Sequence, residues 1–149
     1  MNTVRYKKLS PNAVTPFKAH VGDAGWDLTA ISSTRCITDN YSYIEYDTGL
    51  AFEIPEGYVG LLFPRSSICN MGLILANSVG VIDSNYRGSV KLRFKHIPDT
   101  AAYNTGDRVG QLVVVPIITE LEEVDELPDT DRADGGFGST NLIHPMIMN

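Results

Sequence analysis

The chain has 149 residues, 43% of them hydrophobic and 20% charged, enough for one soluble domain with a real core. Its net charge of −6 excludes a protein that coats DNA or RNA nonspecifically. A small anionic ligand, held by a few arginines and backbone donors, stays open. Thirteen Gly and eight Pro favour a loop-rich β-protein over a helical bundle. Cys36 and Cys69 match neither a redox pair nor a zinc framework, and the sequence shows no basic-then-apolar leader and no apolar run near 18 residues. The expectation is a reduced, cytoplasmic protein that meets neither nucleic acid nor membrane.

Residues 3–9 read as a first strand with Val4, Tyr6 and Leu9 inward, and residues 10–22 as an irregular connection. In Asp23-Ala24-Gly25-Trp26-Asp27-Leu28 the small Ala-Gly pair permits close approach of another backbone or a ligand, and Asp27 opens a strand. Taken alone, this stretch reads equally as a turn with a capping Asp and a packed Trp. Short strands over Tyr43–Tyr46 and Leu50–Ile54 break at Asp47-Thr48-Gly49. Pro55-Glu56-Gly57 is a turn before the strand Tyr58–Phe63. That strand ends in Pro64-Arg65-Ser66-Ser67, where a guanidinium and two hydroxyls suit a phosphate and suit a helix start beside a surface Arg about as well. A single helical turn is expected from Ser66 to Met71.

Residues 77–90 are the least generic stretch. Apolar runs flank Asp83-Ser84-Asn85-Tyr86-Arg87-Gly88, which reads as a β-hairpin or tight loop. Ile82 precedes Asp83, so the carboxylate is expected at the lip of a buried strand, where lost hydration would make it more basic. The Asn77 amide both donates and accepts, as reading a nucleobase edge requires, and Tyr86 offers a flat face to a sugar or base. A plain hairpin with a surface Tyr accounts for the same residues. From Ser89 to Ile97 buried Val90, Leu92 and Phe94 alternate with Lys91, Arg93 and Lys95, with Lys91 near enough to reach a phosphate. After a loop over 98–106, Asp107 and Arg108 are expected to pair and fix a turn. Gln111 then enters an apolar strand and needs a partner. Residues 119–131 form an acidic, extended arm. It leads to Arg132-Ala133-Asp134-Gly135-Gly136-Phe137-Gly138-Ser139-Thr140, whose three glycines around one Phe suit a flap folding over a ligand. His20, His96 and His144 lack metal-ligand spacing, and no P-loop is present.

Five of these pieces, in order, closely resemble the five motifs of the trimeric dUTPase family (deoxyuridine 5′-triphosphate nucleotidohydrolases): Asp23–Leu28, Pro64–Ser67, Gly80–Gly88, Gly106–Gln111 and Arg132–Thr140. The resemblance implies an all-β, distorted jelly-roll-like β-barrel in a homotrimer, with active sites at subunit interfaces. Residues 1–131 would be the barrel with its C-terminal arm, and 132–149 a mobile Gly-rich lid and tail of the same domain. The implied reaction is magnesium-dependent hydrolysis of dUTP to dUMP and pyrophosphate, limiting uracil in DNA and supplying dUMP for dTMP synthesis. By position, Asp83 would activate the water that attacks the α-phosphorus. Asp27 would hold the metal through bound waters, with Gln111 also reaching it through water. Arg65, Ser66, Ser67, Gln111 and Lys91 would hold phosphates. Asn77 with Gly80, Val81 and Ile82 would read uracil, and Tyr86 would pack on deoxyribose. From a neighbouring subunit, Arg132 would clamp the γ-phosphate, Phe137 stack on uracil, and Gly138, Ser139 and Thr140 complete the lid. Two other readings remain. A related dCTP deaminase would resemble a pattern with an acidic residue at position 86, and a nucleotide-controlled binding module would need no general base.

Overall fold

In a computed structural model that describes residues 3–38 and 42–135, the alternating stretches become strands. Among the described residues these are β1 (Arg5–Lys8), β2 (Trp26–Thr29), β3 (Ser32–Ile37), β4 (Ser42–Asp47), β5 (Leu50–Glu53), β6 (Tyr58–Phe63), β7 (Leu73–Leu75), β8 (Gly80–Ile82), β9 (Lys91–His96) and β10 (Arg108–Pro116). A 3₁₀ helix, Ser66–Asn70, follows β6. No helix among these residues is long and apolar enough to cross a membrane.

Two four-stranded antiparallel sheets, ordered β2-β10-β6-β8 and β3-β4-β9-β7, and a two-stranded β1-β5 sheet make the architecture all-β and jelly-roll-like. β10 is paired on both edges, with Gln111 opposite Asp27 on one side and opposite Phe63 on the other. The inward residues form two clusters. Leu28, Leu62, Ile82 and Leu112 meet Leu50, Phe52, Ile54 and Val90 in the first. The second gathers Ile44, Tyr46, Leu73, Leu75, Leu92, Phe94 and Tyr103. Its three aromatic rings stand edge to face with centroids 5.8 to 6.0 Å apart, an arrangement that adds to the stabilisation from burial.

Two expectations are corrected here. Residues 77–90 do not form a β-hairpin. β8 pairs with β6 through Gly60 and Ile82, whereas β9 pairs with β4 and β7 in the other sheet, so the loop between them carries the chain across the sandwich. Tyr6 and Leu9 are not inward: both are nearly half exposed, and only Val4 packs on the core, because β1 lies at the margin of the fold.

Residues Met1–Thr119 form one compact unit and Glu120–Asn149 a second. The described part of the second is irregular and solvent-exposed through Asp134. A turn there is closed by the Ala133 N–H on the Thr130 carbonyl at 3.0 Å.

Thr48 is the fully buried polar residue at the bend between β4 and β5. Its hydroxyl donates to the Val90 carbonyl at 2.7 Å and accepts from the Leu50 N–H at 3.3 Å. Thr48→Val keeps the volume and deletes both bonds, so it is expected to cost about 1–3 kcal/mol in urea unfolding. An unchanged midpoint would mean that packing alone holds this bend.

Candidate active site

The sequence between β7 and β9 lines a cavity of ≈ 510 Å³ whose walls include Asn77, Gly80, Val81, Ile82, Asp83, Tyr86 and Lys91. Asn77 is held at the rim by a three-residue turn. Ser78 takes a positive φ of 63° and the Val79 N–H closes on the Asn77 carbonyl at 2.7 Å. No side chain or backbone group takes the Asn77 amide among the described residues, so both its donor and its acceptor face outward. Gly80–Ile82 is the outermost strand of its sheet, and its far edge pairs with no other strand among the described residues. The Asp83 carboxylate is exposed and carries no hydrogen bond or ion pair there, contrary to the expectation that the buried strand would strip its water. Ile82 is buried, but the chain leaves the sheet immediately after it, in a turn closed by the Tyr86 N–H on the Asp83 carbonyl at 3.1 Å.

A second cluster lies at the start of β10. The Asp27 carboxylate takes Arg65 Nε on Oδ1 and Arg108 Nη1 on Oδ2, each at 3.0 Å. One carboxylate therefore fixes two guanidinium groups, and the pair keeps a net positive charge suited to an anion. Phe17 completes the support. Its backbone exchanges two hydrogen bonds with Asp27, and its ring lies 5.2 Å from the Arg108 guanidinium. Gln111 satisfies its need for a partner by donating to the Pro64 carbonyl at 3.1 Å. Its Oε1 lies where a Cβ on Gly25 would come within 2.8 Å, so the small residue admits this side chain and not a backbone. Ser66 is exposed, whereas Ser67 shares a 3.2 Å hydrogen bond with the Tyr103 hydroxyl that ties the 3₁₀ turn to the aromatic cluster. Asp107 and Arg108 do not pair as expected: Asp107 accepts the Asn104 N–H, while Arg108 reaches back to Asp27.

One chain does not bring these two groups together. β2 and β8 are the two ends of one sheet, three strand spacings or about 14 Å apart, and the register sets Ile82 three residues, roughly 10 Å, along the strands from the level of Asp27. Arg132 belongs to the second unit, where its Nε donates to the Gly135 carbonyl at 3.0 Å. Phe137, Gly138, Ser139 and Thr140 lie outside the described residues.

A model of the dUTPase family's sequences matches residues 12–141. The chain belongs to the dUTPase family. It is 38% identical over 139 residues to the deoxyuridine 5′-triphosphate nucleotidohydrolase of Hydrogenobaculum sp., covering 91% of this chain and 96% of that one. The enzyme of the same name from Picosynechococcus sp. is 39% identical over 140 residues, covering 92% and 97%. Among solved structures, a variant of Staphylococcus bacteriophage 80alpha dUTPase with dUpNHpp is similar with a TM-score of 0.81 and 30% identity, covering 95% of this chain and all of that one.

The sequence alone did not point to Arg108 or to the ionic wall of the cavity. Glu45 on β4 faces β9, where it accepts from Lys91 at 2.9 Å and Arg93 at 2.7 Å, and Lys91 also lies 3.6 Å from Asp47. Alternation around Ile44 and Tyr46 puts Glu45 on the opposite face, but the cross-strand register that pairs it with Arg93 is non-local. Lys91 is therefore already engaged by carboxylates. The hydrogen bond from Lys91, helped by that from Arg93, holds the Glu45 carboxyl below its ordinary range against the opposing effect of burial. A depressed folded value makes this contribution to stability present above the ordinary value of 4.5 and lost as pH falls through the lower one. As pH falls from 4.5 through that lower value, wild-type melting temperature should fall more steeply than that of Glu45→Gln. Parallel curves would show that the network contributes nothing to folding.

Proposed function

We propose that this protein hydrolyses dUTP to dUMP and pyrophosphate at sites shared between copies of the chain. The cavity of one copy would take base and sugar, and the Asp27–Arg65–Arg108 cluster of its neighbour the phosphates. The observation that carries the reading is the separation of these two half-sites on opposite edges of one sheet. A single nucleotide cannot lie on both within one chain, so the site closes only in an oligomer, which the family resemblance gives as a homotrimer.

In the cavity, the outer edge of β8 offers fixed backbone donors and acceptors, with the Asn77 amide beside them. That pattern suits uracil, while the exocyclic amine of cytosine would leave groups unpaired. This is recognition by a sheet edge, not by a hairpin. Tyr86 packs against deoxyribose. Asp83, exposed and unpaired, accepts the proton of a water whose oxygen bonds to the α-phosphorus as the bond to the departing pyrophosphate breaks. Arg65, Gln111 and Ser66 of the neighbour bind phosphate oxygens, with its Ser67 as a further contact, and Lys91 reaches a phosphate from the cavity wall of the first copy. Arg132, Phe137, Gly138, Ser139 and Thr140 form the lid.

No group of three or more His, Cys, Asp or Glu forms a metal cage among the described residues, and both Asp27 oxygens are occupied by guanidinium groups. These residues fit a hydrated magnesium ion, which Asp27 and Gln111 would hold through its bound waters. Such an ion neutralises phosphate charge and orients the leaving group. A variant of phage phi11 dUTPase, 30% identical with a TM-score of 0.69, has a structure concerned with a structural Mg(II) ion, covering 84% of this chain and 98% of that one. Two free cysteines accord with a reducing, cytoplasmic setting.

Pyrophosphate release from dUTP, dCTP, dTTP and UTP with magnesium tests the reading. Turnover is expected on dUTP alone, abolished by chelation and reduced at least about 10²-fold in Asp83→Asn. Mixing Asp83→Asn chains with Arg65→Ala chains should restore part of the activity, because intact half-sites then meet at some interfaces. Equal release from all four nucleotides would overturn the uracil reading, and no recovery on mixing would overturn the shared site.

A further inference from the structure

Gly88 lies just beyond the cavity wall, under the ring of Tyr86. A Cβ on Gly88 would sit 2.4 Å from the Tyr86 hydroxyl oxygen, 2.6 Å from Cζ and 3.1 Å from Cε2, the first two too close for any non-bonded contact. The backbone itself does not ask for glycine, since Gly88 is not among the residues with positive φ. What requires the missing Cβ is the ring. Tyr86 folds back over its own loop, its hydroxyl donating to the Ser89 carbonyl at 3.1 Å while the ring forms part of the cavity wall.

We propose that Gly88 is a positioning residue for sugar specificity: its bare Cα lets the Tyr86 ring lie down against the loop, where the ring closes the cavity to a 2′-hydroxyl. The inference rests on the reading that Tyr86 packs against deoxyribose. The loop backbone is the stiffer partner in this contact. The Arg87 guanidinium bonds the carbonyls of Ser84 at 2.6 Å, Tyr86 at 2.9 Å and Phe52 at 3.5 Å, stapling the turn to β5. Tyr86, by contrast, is 43% exposed, and beyond its loop one hydrogen bond to the Ser89 carbonyl is what its hydroxyl would give up by swinging outward. A methyl at position 88 therefore displaces the ring and leaves the turn in place. The raised ring breaks its bond to Ser89 and opens the sugar side of the cavity. Substitution here relaxes selectivity where a merely structural glycine would lower stability.

The test compares kcat/KM for dUTP and UTP in the native protein, Gly88→Ala, Tyr86→Ala and the double variant, with melting temperatures alongside. The dUTP/UTP ratio is expected to fall about tenfold or more in Gly88→Ala with little change in melting temperature. Tyr86→Ala should lose at least as much, and the double variant no more than Tyr86→Ala alone, because both changes act through one ring. A wild-type ratio in Gly88→Ala, with the ratio lost in Tyr86→Ala, would overturn the role of Gly88. A wild-type ratio in Tyr86→Ala would instead overturn the sugar reading beneath it. If Gly88→Ala does not fold, the double variant must fold, since removing the ring removes the obstacle. Failure of both would make Gly88 structural and sink the proposal.

Discussion

A strand hydrogen-bonded on both edges cannot slide, and β10, which carries Arg108 and Gln111, is such a strand. Its register against β6 runs unbroken from Gln111 to Pro116, while β2 follows its other side with one irregularity between Arg108 and Gly110. A one-residue slip would turn buried Leu112 outward and carry Gln111 away from Asp27. The two guanidinium groups of the Asp27 cluster come from separate elements, Arg65 from just after β6 and Arg108 from the first residue of β10. Their convergence is thus a consequence of strand register and not of any local motif.

Asp27 shows how little charge such a site needs. Its carboxylate lies largely out of water, and one anion shared between two guanidiniums leaves the cluster singly positive. A fully neutralised cluster would hold no attraction for an anion, while two unpaired arginines would repel each other and wander. The cavity wall around Glu45 uses the same device with a lysine and an arginine. In both places a carboxylate spends its charge on geometry.

Much of the fold was legible because the strands with one dry face advertise it. In β9, buried Leu92 and Phe94 alternate with exposed Lys91, Arg93 and Lys95, and the turn Pro55-Glu56-Gly57 announces β6. β3 was illegible because almost all its residues are exposed, so no apolar period marks it. β7 is only three residues long. The hairpin was misread for a different reason. Apolar runs around a turn look alike whether the chain folds back on itself or crosses to another sheet, and the pairing of Ile82 with distant Gly60 decides between them. The same limit applies to the site. Motif residues could be picked out along the chain, but their separation into a cavity beside β8 and an Asp27 cluster beside β2 follows from sheet order. Arg108 found its carboxylate 81 positions away, where nearest-neighbour reasoning offered Asp107.

The outer edge of β8 has a consequence for solubility. Unpaired backbone groups at a sheet edge are a template on which any extended chain can add itself, and proteins usually blunt such edges with charge, bulges or brevity. This edge must stay open if it is to face a ligand, so it cannot be covered. It is instead kept to three residues, with charged Asp83 at its end. An edge of about 10 Å accommodates one flat ring but gives a foreign strand too few bonds to stay. Brevity lets the protein display an unfinished sheet without inviting its own aggregation.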